Sequence, residues 1–439
     1  MKIAKTTFKA RRDELVKNMG EGSVLILPSA TEKVRNSDCE YPFRQSSDFW
    51  YLTGFGEPES VLVLVPGRKE GEAILFCRRR DPLMETWHGR RAGQEGAVNN
   101  FGFDEAFPID ELDKHMPDLL DGRETVLYTA GQDKEFDERL WGWMNNLRRA
   151  ERMGKVVPPK MQDRDALIHE RRLIKSDEEI AVMRAAGEIS ARAHTRAMKE
   201  CRAGGMEYQL EASIQHEFAM SGARSPAYTT IVGSGENACI LHYTENDCEL
   251  KDGDLVLIDA GCELDHYAAD ITRTFPVSGR FSPEQKALYE LVLKAQEASF
   301  AEIAPGKPWD GFHKAACNVL VEGLIELGLL EGEPEQLIKD GALRDFYMHG
   351  TGHWLGMDVH DVGLHKTDGN PIAFQPGMAL TVEPGLYIAP DNDKVEARWR
   401  GIGIRIEDNL VVTENGYENL TSAAPKTVAE IEALMAASR

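Results

Sequence analysis

The chain has no C-x-x-C pair among its seven cysteines (Cys39, Cys77, Cys201, Cys239, Cys248, Cys262 and Cys317), which are odd in number and widely spaced. A zinc knuckle needs closely paired thiols and a disulfide framework an even, dense set of cysteines, so neither is suggested and the cysteines read as reduced. No apolar run approaches the ~20 residues of a membrane-spanning helix. The basic opening MKIAKTTFKARRDELVKNMG likewise holds no apolar stretch of signal-peptide length. A cytoplasmic protein is expected. Positive charge is in short supply, with 51 Lys+Arg against 73 Asp+Glu and a formal net charge of -22. A field of that sign repels phosphate backbones and anionic membranes, so neither nucleic acid nor membrane is expected as a partner. Most of the acidity reads as solubility.

What is present is the balance of a folded protein: 42% hydrophobic and 28% charged residues over 439 positions. That length implies two domains, each able to bury a core. The first part interleaves helical stretches with the apolar strands SVLILP, SVLVLVP, EAILFCR and TVLYTA, an α/β layer. The basic, proline-marked stretch RRAERMGKVVPPKMQDRDALIHERRLIKS reads as a linker, which sets domains of 1–173 and 174–439. Ser176 and Glu179 then form a capping box ahead of a helix whose face is Ile180, Met183, Gly187 and Ser190. Further helices (QLEASIQHEFAMSG, the stretch after Ser282, HKAACNVLVEGLIELG) alternate with strand-like YTTIVGSG, DLVLIDAG and DITRTFPV, an α+β layout with antiparallel strands.

In DLVLIDAGCELDHYAADITRTFPVSG an apolar strand delivers Asp259, and a second strand-like piece carries Asp270 back beside it. Two carboxylates in apolar surroundings must protonate, pair or share a cation. Capping or salt-bridged aspartates would explain the segment taken alone. The Gly-rich stretch HGTGHWLGMDVHD adds His349, His353 and His360, a grouping that points to a metal or proton-transfer site. Glu383 in ALTVEPGLYI and Glu407 in GIGIRIEDNLVVT are each read as set in an apolar strand, where a lone charge is out of place. Four carboxylates and an imidazole suit Mn, Co or Fe better than a closed structural zinc, and their charge suits two ions sharing bridging carboxylates.

The motifs LHYTEN, VLIDAG, DITRTFPV, HGTGHWLGMDVHD, TVEPGLY and GIRIED follow one another in the order and spacing of the pita-bread metallopeptidases. They look most like those of proteobacterial aminopeptidase P. NSDCEYPFRQSSDFWYLTGF resembles that family's N-terminal domain, so the likeness spans nearly the whole chain. The resemblance implies a smaller α/β N-terminal domain before a pita-bread catalytic domain. It implies Asp259, Asp270, His353, Glu383 and Glu407 as ligands of two divalent ions, most simply Mn2+, with Asp270 and Glu407 bridging. The activity implied is release of the residue ahead of proline from a peptide's N-terminus, by attack of a metal-bridging hydroxide with Glu383 as general base.

By the same resemblance His360 stabilises the intermediate, His242 shuttles a proton, and His349 lines the proline side of the scissile bond. Tyr387 and Arg405 support the ligands beside them. Trp87, in METWHGRRAG, is similar to a tryptophan that reaches a neighbouring subunit's pocket, which implies a homodimer or homotetramer. Two alternatives stay open: a prolidase restricted to Xaa-Pro dipeptides, and a non-enzymatic pita-bread binding protein, against which the intact ligand set argues.

Overall fold

The structure, a computed structural model, describes residues 2–439. Beyond the first two residues the chain divides into two compact units, Ile3–Arg171 and Arg172–Arg439. The smaller is built on one six-stranded mixed sheet: β1 (Ser23–Pro28), β2 (Val61–Leu64), β3 (Ala73–Cys77), β4 (Glu105–Pro108), β5 (Thr125–Leu127) and β6 (Lys160–Gln162), in the order β4-β3-β2-β1-β5-β6. Its central strands are buried on both faces, which is why they read as continuous apolar runs. Val24, Ile26, Val63 and Phe76 pack there with Phe136, Leu140 and Trp143 of the helix Lys134–Arg149.

One sequence expectation is corrected here. The basic stretch read as linker carries β6 and a helix, Asp165–Leu173. Charged residues and prolines masked both, because β6 is an edge strand of only three residues whose pairing to β5 comes from backbone rather than side chains.

The larger unit opens with α1 (Asp177–Glu200), capped reciprocally by Ser176 and Glu179, followed by α2 (Glu207–Met220). The buried face of α1 is Glu179, Val182, Met183, Ala186, Gly187 and Ser190, with Ile180 only half-buried. Gly187 belongs there because an added Cβ would stand 2.5 Å from the Leu420 carbonyl oxygen. Next come β7 (Ile231–Ser234), β8 (Leu255–Asp259) and β9 (Thr272–Pro276), an antiparallel sheet ordered β7-β8-β9. Helices α3 (Pro283–Phe300) and α4 (Gly311–Glu326) follow. The C-terminal part adds β10 (Ala379–Val382), β11 (Gly385–Tyr387), β12 (Gly403–Arg405), β13 (Asp408–Thr413) and β14 (Gly416–Asn419). Here β10, β13 and β14 form one antiparallel sheet while β11 pairs with β12.

Two seams join these sheets at the site. Arg405 N donates to Thr274 Oγ1 at 3.2 Å, and Glu407 N donates to the Thr272 carbonyl at 3.1 Å. The fully buried Arg273 side chain donates to the Glu407 carbonyl at 2.6 Å and to Asp408 Oδ1 at 2.7 Å, which locks β9 to the β12–β13 junction. No described helix is long and apolar enough to cross a membrane.

Candidate metal centre

Asp259 is the last residue of β8, and Asp270 lies just ahead of β9. Glu383 occupies the break between β10 and β11, and Glu407 the break between β12 and β13. The strand-borne reading of these carboxylates is therefore right only for Asp259. A ladder residue points its side chain along a fixed normal, whereas a break lets the backbone re-aim it, and three of the four acids sit at such breaks.

The side chains converge in the interior. His353 Nε2 lies 3.4 Å from Asp270 Oδ2 and 3.7 Å from Glu383 Oε1. Asp270, His353 and Glu407 each offer one ligand atom, all within 4.8 Å of one another. Asp259 joins through two partners: Arg405 Nη2 donates to its Oδ2 at 2.6 Å, and the Tyr228 hydroxyl lies 2.6 Å from its Oδ1 and 2.5 Å from Asp270 Oδ1. Relative exposure is 9% for Asp259, 5% for Asp270 and 1% for Glu407. These groups cannot rely on water to carry their charge.

Their electrostatics follow. Burial, then the neighbouring acids, holds Glu407 well above the usual carboxylate range. Burial also raises Asp259, only partly offset by the Arg405 charge. Glu383 is pushed up to about 7 by burial against the pull of His353 and Arg405. Burial works against a charged His353, but the hydrogen bond and charge of Asp270 prevail and lift it to about 9. Asp270, itself penalised by burial, is correspondingly held low by His353 and Tyr228. One arginine and one imidazolium are too little positive charge for four packed carboxylates. A divalent cation is what this donor set fits, and its oxygen-rich character suits a hard to borderline ion.

Around the cluster, His353 Nδ1 lies 2.9 Å from the Trp354 carbonyl, a contact that turns Nε2 toward the acids. The His360 ring stands edge-on to His353 at 4.2 Å. His349 Nε2 lies 2.8 Å from the Tyr387 hydroxyl, to which Arg405 Nη1 donates at 3.0 Å. Burial and then the Arg405 charge depress His349 to about 4, so it is a neutral imidazole near pH 7. His242 is close enough to interact electrostatically with both His349 and His360. Trp87 is 76% exposed on the helix Pro82–His88 of the smaller unit, so it is not a core tryptophan.

Sequence reasoning missed three contributors. Tyr228 opens the stretch YTTIVGSG, whose pattern indicates only a strand. Thr272 Oγ1 donates to Glu407 Oε2 at 2.7 Å, and Asn409 Oδ1 accepts from Asp270 N at 2.9 Å. A tyrosine just before a strand facing an aspartate pair was a signal of sorts; the threonine and asparagine carried none.

A model of metallopeptidase family M24 matches residues 181–414, and one of the aminopeptidase P N-terminal domain matches residues 8–128. The Xaa-Pro aminopeptidase of Escherichia coli is 50% identical over 438 residues, covering 100% of this chain and 99% of the relative. This chain belongs to the Xaa-Pro aminopeptidases of metallopeptidase family M24. Among solved structures, Pseudomonas aeruginosa aminopeptidase PepP superimposes on this aminopeptidase with a TM-score of 0.99 at 56% identity, covering 100% of this chain and 99% of that one. Zinc-substituted E. coli aminopeptidase P in complex with product matches at a TM-score of 0.97 and 50% identity over 100% of both chains. The larger unit therefore has the pita-bread fold, and the enzyme is a metallohydrolase.

Proposed function

We propose that this aminopeptidase releases the residue ahead of a second-position proline using two divalent cations, Mn2+ in the simplest case. Asp259, Asp270, His353, Glu383 and Glu407 would hold them. The observation that carries the reading is the convergence of Asp270, His353 and Glu407 within 4.8 Å in a buried, acid-rich site. A divalent cation bound there would supply acidification of a water and polarisation of the scissile carbonyl.

The remaining work falls to side chains. A bond to proline has no N–H on its leaving side, so the departing nitrogen must receive a proton as it leaves. Glu383, held at the break between β10 and β11 beside His353, would take the proton from the attacking water. His242 relays a proton to the leaving nitrogen. His360, exposed beside His353, donates toward the developing oxyanion. His349, kept neutral and oriented by Tyr387, borders the proline ring. Arg405 holds Asp259 and Tyr387 in register.

The exposure of Trp87 supports its reaching a neighbouring subunit's pocket, in a homodimer or homotetramer working in the cytoplasm. Residues 1–173 then form the domain that presents Trp87, and 174–439 the catalytic domain. The test is to strip the purified enzyme with a chelator, restore Mn(II), and compare Gly-Pro-Leu with Gly-Pro. Metal-restored cleavage of the tripeptide with poor cleavage of the dipeptide supports the aminopeptidase, and the reverse preference makes it a prolidase. Two bound Mn per chain supports the dinuclear site, and sedimentation gives the subunit count.

A further inference from the structure

Glu207, the first residue of α2, is fully buried and forms no ion pair among the described residues. Instead it accepts five hydrogen bonds. Ser234 N and Ser234 Oγ donate to Oε1 at 2.7 Å each, and Asn237 Nδ2 at 3.3 Å. The Tyr243 hydroxyl donates to Oε2 at 2.9 Å and Cys248 N at 3.0 Å. Charge-assisted bonds of this number offset the cost of burying a carboxylate. Every donor belongs to one segment, residues 234–248, which leaves the end of β7, turns, and carries His242 at its exposed tip.

A second staple reinforces the first. Asn246, buried and with φ of 50°, accepts from Val232 N at 2.9 Å and donates to the Thr230 carbonyl and to Glu211 Oε2 of α2, both at 2.9 Å. The His242 imidazole has no hydrogen bond of its own among the described residues. Its position therefore comes from the backbone beside Tyr243, whose ring is buried and whose hydroxyl ends on Glu207. Glu207, Asp247 and Cys248 also offer ligand atoms within 4.8 Å of one another. Both Glu207 oxygens are already committed to donors, which favours an anchor over a cation site.

We infer that Glu207, acting through the Tyr243 hydroxyl, is a positioning residue that sets the place of His242 at the reaction centre. The inference rests on the proton-relay role proposed for His242. A relay group displaced by an ångström loses rate steeply, and because Glu207 and Tyr243 are themselves buried, peptide binding is expected to persist.

The test uses full-length, Mn-loaded enzyme with Tyr243→Phe, Glu207→Gln, His242→Ala and the double variant Tyr243→Phe/His242→Ala. Tyr243→Phe removes one oxygen and preserves the buried ring, so it stays informative even if Glu207→Gln fails to fold. The expected result is a fall in kcat of about tenfold for Tyr243→Phe with KM within about twofold, metal content unchanged, and no further loss when it is added to His242→Ala. A general structural role would instead lower activity equally in both backgrounds, and that outcome overturns the inference. So does an unchanged kcat for Tyr243→Phe beside a large loss for His242→Ala. Full activity in His242→Ala would remove the relay role, and the inference with it.

Discussion

Arg405 and Asp259 are in direct contact, Nη2 to Oδ2 at 2.6 Å, although they stand 146 positions apart in the chain. The other two nitrogens of the guanidinium are also occupied: Nη1 donates to the Tyr387 hydroxyl and Nε to Thr272 Oγ1, each at 3.0 Å. A planar fork with three fixed directions thus sets Asp259, Tyr387 and Thr272 at once, which a lysine cannot do. Arg405→Lys keeps the charge and loses the directions. Mn(II) affinity in the variant is expected to fall about 10- to 100-fold, as read by competition with a chelator. Unchanged affinity would mean that only the charge of Arg405 matters.

Removing metal leaves the packed carboxylates short of positive charge. The chelated enzyme is expected to melt earlier than the Mn-loaded one, with the melting temperature rising with the logarithm of added Mn(II). Burial and the neighbouring acids disfavour the charged form of Glu407. Glu407→Gln is therefore expected to raise the melting temperature of the stripped protein while abolishing the gain on adding metal. Loss of stability in the stripped variant would show that the hydrogen bond from Thr272 outweighs the repulsion.

His194 supplies a pH dependence. It is fully buried on α1, its Nε2 lies 2.9 Å from the Ala260 carbonyl, and burial lowers it to about 4 from 6.5. The folded state thus resists a proton that the unfolded state accepts. Stability from neutral His194 is complete above pH 6.5 and is lost as pH falls toward 4, by about 3 kcal/mol for a shift of this size. Urea unfolding of the larger unit at pH 7 and pH 4.5 should show this loss in the parent and a smaller one in His194→Gln. An equal loss in both would assign the acid sensitivity to other groups.

Two glycines make opposite predictions. A Cβ on Gly261, between the two aspartates, would stand 1.7 Å from the Ala269 carbonyl oxygen, so Gly261→Ala must displace the turn that pairs Asp259 with Asp270. A destabilisation of at least about 3 kcal/mol and loss of bound metal are expected. Gly142 lies inside the helix Lys134–Arg149 with nothing within 4 Å of an added Cβ. Gly142→Ala should stabilise by about 0.5–1 kcal/mol with activity intact. Thermal melts of the two variants side by side check both.

Local chemistry made part of the fold legible. Ser176 with Glu179 forms the reciprocal cap that their spacing announces. The double-sided burial of β1 to β3 is written in their unbroken apolar runs. Illegible were features that depend on a distant partner. Strand β6 exists because β5 offers a free edge, and the breaks that aim Glu383 and Glu407 exist because two sheets meet there. Neither leaves a periodic trace.

The order of residues is enough to give the chemical inventory: acids and histidines set in apolar surroundings, in an order shared with a known family, and too few cations to neutralise them. That much is local, since burial is signalled by each acid's own neighbours. Which groups share a proton or a charge follows instead from how the sheets pack. Tyr228 between Asp259 and Asp270, Arg405 across to Asp259, Thr272 on Glu407 and Glu207 beneath the His242 loop are all contacts between segments far apart in the chain. Hydrogen bonds and Coulombic forces act over a few ångströms, and chain order does not encode those distances until the sheets have packed.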